Sequence, residues 1–445
     1  MRGRPWLTAS LAVAAASART ADADENYSLH VIGSAQVSWT DNLFAVPDDA
    51  ADPLPPHEGD TQLQLRPGVL GTYETPRTIH NLEYDLDANL YVAHDEARSL
   101  GHTATWRSFF LTSPRSEVQT SVIYARGALA TLATRSPAAG GQPQPTASGD
   151  GTFWSLDAGE TAHYSLTPEL RLSQGLGART FTNQLATGDA GGYQLGGSLG
   201  GDRGWKHSAV AVTAQTAYVV LDQGVATART QNSSLVVSYR RDFTPRWNAV
   251  ADAGATWIAS LDDAPSTIQP TAGVLVGYLP NWGNAGLQLR RTMTPNLYIA
   301  ENTINDLASI NATLPLPWLR GDAPAPRLTL AGAAGVARSR VIEGDTTTSS
   351  IDIVNADVAL TYAPRGDLAL SLRAQHLRQL PGDSSGAAAP AYAYDRTTVV
   401  LSAVWRFPER LAAEIPSRDS LRVDRSDDTP VGEEVAPTPA PGSAP

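Results

Sequence analysis

The 445-residue chain has no cysteine, two methionines and a single lysine, Lys206. Without thiols it forms no disulfide, and thiol chemistry and cysteine-ligated zinc are excluded. Nearly all its positive charge is arginine. The net charge is −12 with no basic cluster, which argues against nucleic acid as a partner. Long apolar runs are missing too. No stretch approaches the roughly 20 apolar residues that a helix needs to cross a bilayer. A membrane role therefore falls to strands, which satisfy their backbone groups by pairing with one another in a closed barrel.

The N-terminus reads as an export signal over residues 1–18. Arg2 and Arg4 form a basic start, Leu7 to Ala16 a short apolar core, and Ala16-Ser17-Ala18 a small-residue cleavage site. The expected mature chain begins near Arg19. At the other end, residues 408–445 are rich in Pro, Ala and acids, including Asp427-Asp428 and Glu433-Glu434. Such a composition buries no core, and a disordered periplasmic tail is expected.

Between these segments, period-two alternation takes the place of the helical period. Leu82, Tyr84, Leu86, Ala88 and Leu90 fall on one face, and Asn81, Glu83, Asp85, Asp87 and Asn89 on the other. About eighteen such segments recur over 19–407, an even number on the scale of large bacterial barrels. They include 29–42, 60–75, 78–94, 268–280, 284–298 and, at the end, 391–407. The expected fold is all-β: a single antiparallel, up-and-down transmembrane barrel.

The connections alternate in kind. Short proline turns such as Thr75-Pro76-Arg77, Ser113-Pro114-Arg115, Thr244-Pro245-Arg246 and Ala363-Pro364-Arg365 follow even-numbered segments. Longer polar loops, including Ala45–Gly59, Thr134–Gly151, Ala186–Ala190, Gly344–Ser349 and Pro381–Pro390, follow odd-numbered ones. That asymmetry matches periplasmic turns and extracellular loops. Trp205, Trp247, Trp282, Trp318 and Trp405 fall near the short-turn rim, and Trp39, Trp154 and Trp257 near the long-loop rim. Two such rings mark the two surfaces of a membrane, and Trp106 does not fit them.

With the apolar face outward, Gln62, Gln64, Arg66, Glu83, Asp85, Asp87, Asp157, Arg171, Arg179, Arg290, Asp357 and Arg373 point inward. A wet lumen of mixed charge suits polar solutes. His94, Asp95, Glu96 and His102 cluster at the outer rim and read as solvated loop, with a bridging cation as a lesser alternative. Glycines 196, 197, 200 and 201 sit inside a strand pattern, where they permit close strand approach. No catalytic, cofactor or metal motif stands in a fitting context.

Ser38-Trp39-Thr40-Asp41-Asn42-Leu43-Phe44, the acidic loop after it and Arg66-Pro67-Gly68 resemble the opening of β-barrel porins associated with exopolysaccharide gene clusters. The overall plan is similar to exopolysaccharide-secretion porins of the Wzp type. The matching part is a small fraction of the chain, and it carries no catalytic residue to transfer. The resemblance implies a polysaccharide conduit in the outer membrane, working with periplasmic export proteins. From the residues alone, a passive porin for small polar solutes stands beside it, and a barrel enzyme is a distant third. A passive porin needs an inward constriction, for which Ser136–Gly151 is the candidate. Lipid, lipopolysaccharide and the barrel-assembly machinery are the further expected partners.

Overall fold

In an extended chain, successive side chains leave opposite faces, so alternating polarity commits each segment to a two-faced strand. In the second strand Leu63, Leu65 and Val69 are exposed, while the interleaved Asp60, Gln62 and Leu70 are buried. A computed structural model describes residues 26–46, 57–128, 151–185, 188–222, 227–262, 266–280, 283–296, 301–316, 328–343, 346–365, 367–381 and 394–407. The expected signal segment, the tail, loop residues 136–150, Trp282 and Trp318 lie outside these.

Eighteen strands run in chain order. The first nine are β1 (Tyr27–Thr40), β2 (Asp60–Thr75), β3 (Thr78–Tyr91), β4 (Ser99–Ser113), β5 (Ser116–Ala128), β6 (Gly151–Ser165), β7 (Leu170–Leu185), β8 (Gly188–Trp205) and β9 (Ser208–Asp222). The second nine are β10 (Thr227–Thr244), β11 (Trp247–Ser260), β12 (Thr267–Tyr278), β13 (Asn284–Asn296), β14 (Glu301–Pro315), β15 (Leu328–Glu343), β16 (Thr346–Arg365), β17 (Leu368–Pro381) and β18 (Tyr394–Phe407). Each pairs antiparallel with its chain neighbours. β18 returns to β1, from Val31↔Phe407 to Thr40↔Thr398, and closes the barrel. Closure removes the free sheet edge that would otherwise expose unpaired backbone groups. Among the described residues the one helical element is a 3₁₀ turn, Asp95–Ala97.

Proline turns behave as their chemistry dictates. Thr75 Oγ1 accepts from the backbone N–H of Thr78 at 3.0 Å, and Thr244 Oγ1 from that of Trp247 at 3.1 Å. Two expected long loops are instead tight hairpins. β7 and β8 pair out to Leu185↔Gly188, and β15 and β16 to Glu343↔Thr346. A polar, threonine-rich stretch such as Thr346-Thr347-Thr348 still suits a strand, because β-branched residues favour extended backbone whatever their polarity. Conversely, one connection on the short-turn rim, 316–327, is long.

Trp39, Trp154 and Trp257 stand near the long-loop ends of their strands and Trp205, Trp247 and Trp405 near the short-turn ends. All six are exposed on the face that carries the outward leucines and valines. Near the short-turn rim Tyr27, Tyr73, His80 and Phe110 form a string of rings 4.6, 5.9 and 5.1 Å apart. Trp106, which fitted neither ring in the sequence, lies parallel to His80 at 6.5 Å.

Candidate functional site: the lumen and its inward hairpin

By register the twelve candidates share the face opposite the outward leucines and valines. Gln64 Nε2 donates to Asp87, and Gln62 Nε2 to Asn89. Arg66 stands 3.8 Å from Asp85 and 4.0 Å from Asp87. Gly68 makes this possible, because a Cβ there would lie 2.1 Å from the Asp85 carboxylate, which therefore crosses β2 over bare backbone. Arg179 faces Asp157 at 3.7 Å, and Arg373 donates to Asp357. Arg171 pairs at 3.1 Å with Asp202, a lumen residue that alternation also places inward but that was not singled out. Glu83 lines the central cavity. Arg290 sits in the inward register of β13, opposite Gly273 and Leu307.

The central cavity holds about 930 Å³ and is lined by Glu83, Arg107, Asp157, Arg179, Gln194 and Gln215. Met293, Thr294 and Pro295 of β13 also line it. They reach it because the wall parts. The β12–β13 ladder stops at Ala272↔Arg291, although β12 begins at Thr267 and β13 runs to Asn296. Continuing the register would set Pro270 opposite Met293 and Ile268 opposite Pro295. Each proline lacks an N–H, which weakens any extension of the ladder along this edge.

β13 nevertheless stays paired with β14 to Asn296↔Glu301, and β14 with β15 to Asn302↔Ile342. The freed end therefore turns inward as a unit. Met293, Ile304 and Ile342, which continue the outward face of Leu289 and Ile310, pack against the lumenal Ile258 of β11. Asn232 of β10 reaches Asn302 at 3.5 Å. On the hairpin's other face Asn305 donates to Thr294 at 3.2 Å and accepts from Ser339 at 2.7 Å. Leu307 packs there with Ala337, Ile351 and Ile353. Each buried aliphatic contributes about 1.5–3 kcal/mol relative to exposure, so the strand ends are packed in place and not loosely tethered. Pro270 and Pro295, inside two strand windows, were the sequence signal for it.

The inner wall is not uniformly polar: Ala125, Phe153, Phe181, Val219 and Leu221 form a buried lumenal cluster at the long-loop end of β5–β9. Nor is the outer face uniformly apolar. Arg291, Asp306, Arg338, Arg340 and Asp352 share the register of Leu289, Ala308, Val336 and Val354. In the first place neighbouring side chains pack on one another, and in the second the charges pair among themselves on the outer face.

The segment Thr40–Phe44 closes the seam between β1 and β18. Asp41 Oδ1 accepts from the Thr397 N–H at 2.7 Å. Fully buried Asn42 donates to the carbonyls of Val46 at 2.7 Å and Asp395 at 2.8 Å, and accepts from the Val46 N–H at 3.0 Å. Buried Arg396 donates to Thr40 Oγ1 at 3.1 Å. Leu43, Phe44 and Val46 then pack on Tyr91.

His94 is not in a solvated loop. It is buried, with Nδ1 3.0 Å from Asp60 and Nε2 2.8 Å from Glu58. Asp60 also accepts from the N–H groups of Ala93 and His94, each at 3.0 Å. These contacts tie the β1–β2 loop to the β3–β4 loop. Asp95 stays exposed and pairs with Arg98, while His102 bonds the Tyr84 hydroxyl at 2.7 Å on the outer face. Among the described residues no group of three or more His, Cys, Asp or Glu is placed to hold a metal.

No family model matches the chain, and no curated protein does. Solved structures of similar architecture include the FrpB iron transporter of Neisseria meningitidis (F3-3 variant), at 8% identity and a TM-score of 0.47, with 85% of this chain and 66% of that one covered. The outer membrane protein OpdK of Pseudomonas aeruginosa matches at 11% identity and a TM-score of 0.46, covering 85% of this chain and 99% of its own. OccAB3 of Acinetobacter baumannii gives the same figures. At such identities the likeness is one of barrel fold alone.

Proposed function

We propose that the protein is an outer-membrane channel for small polar solutes, exported by a cleaved signal and inserted with its proline turns in the periplasm. One observation carries this reading: the hairpin end that brings Met293, Thr294 and Pro295 to the wall of a charged, hydrogen-bonding cavity. A constricted, wet lumen sorts solutes by size and polarity. Purified protein in planar bilayers is expected to give stepwise conductance, and proteoliposomes to swell in monosaccharides but not in long oligosaccharides. An absence of conductance from correctly folded protein overturns the reading.

Export of polysaccharide, with periplasmic export proteins as partners, is a second reading. The amides and carboxylates of Gln62, Gln64, Asp87 and Asn89 along one strip of wall favour it, since sugar hydroxyls bond such groups. It requires the hairpin to withdraw. Loss of surface polysaccharide on gene deletion, with small-solute permeability unchanged, would favour this reading over the first.

A further inference from the structure

The inward turn of β13–β14 leaves a concavity on the opposite, outward side of the wall. It holds about 900 Å³, within the range of small-molecule sites. Ala272, Val274, Leu289, Ala308, Val336 and Val354 line it, all on the outward register. Just nearer the long-loop rim stands a row of charge. Asp306 takes Arg340 and, at 3.8 Å, Arg291. Asp352 takes Arg338 through two bonds of 2.7 and 2.9 Å.

Charge on a lipid-facing surface is costly at the bilayer centre and tolerated near its edge. The row fits that pattern, since it borders the apolar band of Ile310, Val336, Val354 and Val358. Three guanidiniums against two carboxylates leave one positive charge in excess. The carboxylates hold the guanidiniums in place, and the Arg338 side chain remains 59% exposed. Guanidinium forks match phosphate oxygens, and the groove beneath is apolar and lined by small side chains.

We propose that this groove binds a lipid of the outer leaflet, with its phosphate on the Arg338/Arg340 row and an acyl chain along Ala272, Leu289 and Ala308. The proposal rests on the membrane placement above, so its test is run in detergent, where conductance plays no part. Purified protein is delipidated, offered phosphatidylglycerol or phosphatidylcholine vesicles mixed with detergent, and examined by native mass spectrometry. Retention of phosphatidylglycerol over phosphatidylcholine is expected, falling about tenfold in R338Q/R340Q, the scale of one charge-assisted contact. R338K, which keeps the charge, retains most of the preference. Heat-modified gel migration confirms that each variant is a folded barrel. Equal retention of the two lipids, or an unchanged preference in R338Q/R340Q, overturns the proposal. Displacement by millimolar inorganic phosphate also overturns it, because the site would then take free anion. Conductance measured separately keeps a failure here distinct from a failure of the channel reading.

Discussion

The β18–β1–β2–β3 wall and the β12–β13–β14 wall obey the same alternation and behave differently. In the first, the β18–β1 and β1–β2 ladders are continuous across the closure, and the β2–β3 ladder skips Arg66 and Pro67 without losing its register. Asn42 and Asp41 bond β18, Arg66 and Gln64 bond β3, and the polar face looks inward throughout. In the second, two prolines interrupt one ladder and the face that began outward ends inside the barrel against Ile258. Which way a strand faces is thus decided residue by residue only while its neighbour holds it in the wall. The seam ties the ends of the chain together, and the parted wall is where the proposed channel would select its solutes.

The seam should fail hardest. Asn42→Ala removes three buried hydrogen bonds and strands two carbonyls and an N–H, so a loss of about 2–4 kcal/mol is expected. The temperature at which the barrel unfolds on a gel reports it, and a midpoint within a degree of the parent protein would show that the clamp is dispensable. His94→Ala is expected to cost about 1–3 kcal/mol, by leaving buried Asp60 short of a partner, and to free the β1–β2 loop to protease. Retained protease resistance would count against the tie.

The parted wall is tested through transport. Replacing Pro270 and Pro295 with threonine restores two amides, so the β12–β13 ladder can extend and draw the hairpin back. Larger conductance and a larger solute cutoff are expected, with little change in stability. Unchanged conductance would show that the prolines do not set the parting. A cysteine-free chain allows a finer check of facing. Cysteines at Asp85 and Met293 should react with small water-soluble reagents entering the lumen, and one at Leu86 only with lipid-soluble ones. Labelling of Met293→Cys by lipid-soluble reagents and not by water-soluble ones would return that strand end to the outer face. The smallest effect belongs to the outer ion pairs: Asp352→Asn should change stability by less than about 1 kcal/mol, because exposed pairs contribute little. A larger loss would make the Arg338–Asp352 pair structural.

Much of the architecture was legible in the chain. Period two, eighteen segments and proline turns are local signals, each carried by a few consecutive residues, and they yield strands, their number and their faces. The polar wall from Gln62 to Asn89 was readable for the same reason. His94 was misread because its partners, Glu58 and Asp60, lie across two loops. The Thr40–Phe44 segment stands out in the sequence only by its resemblance, while its work as a clamp depends on Asp395 and Thr397 at the far end of the chain. For a constriction the sequence points to the long Pro/Gly-rich loop Ser136–Gly151, of which residues 136–150 lie outside the described residues. The inward element in view is a hairpin of ordinary strand composition.

The sequence by itself therefore determined that the chain is a barrel and which side chains begin on each face, because a strand's two faces follow from backbone geometry one residue at a time. Only the tertiary structure decided where the ring closes, where the wall parts and which apolar face turns inward. Those outcomes depend on side-chain hydrogen bonds between residues up to 356 positions apart, and on ladder bonds that two prolines cannot make.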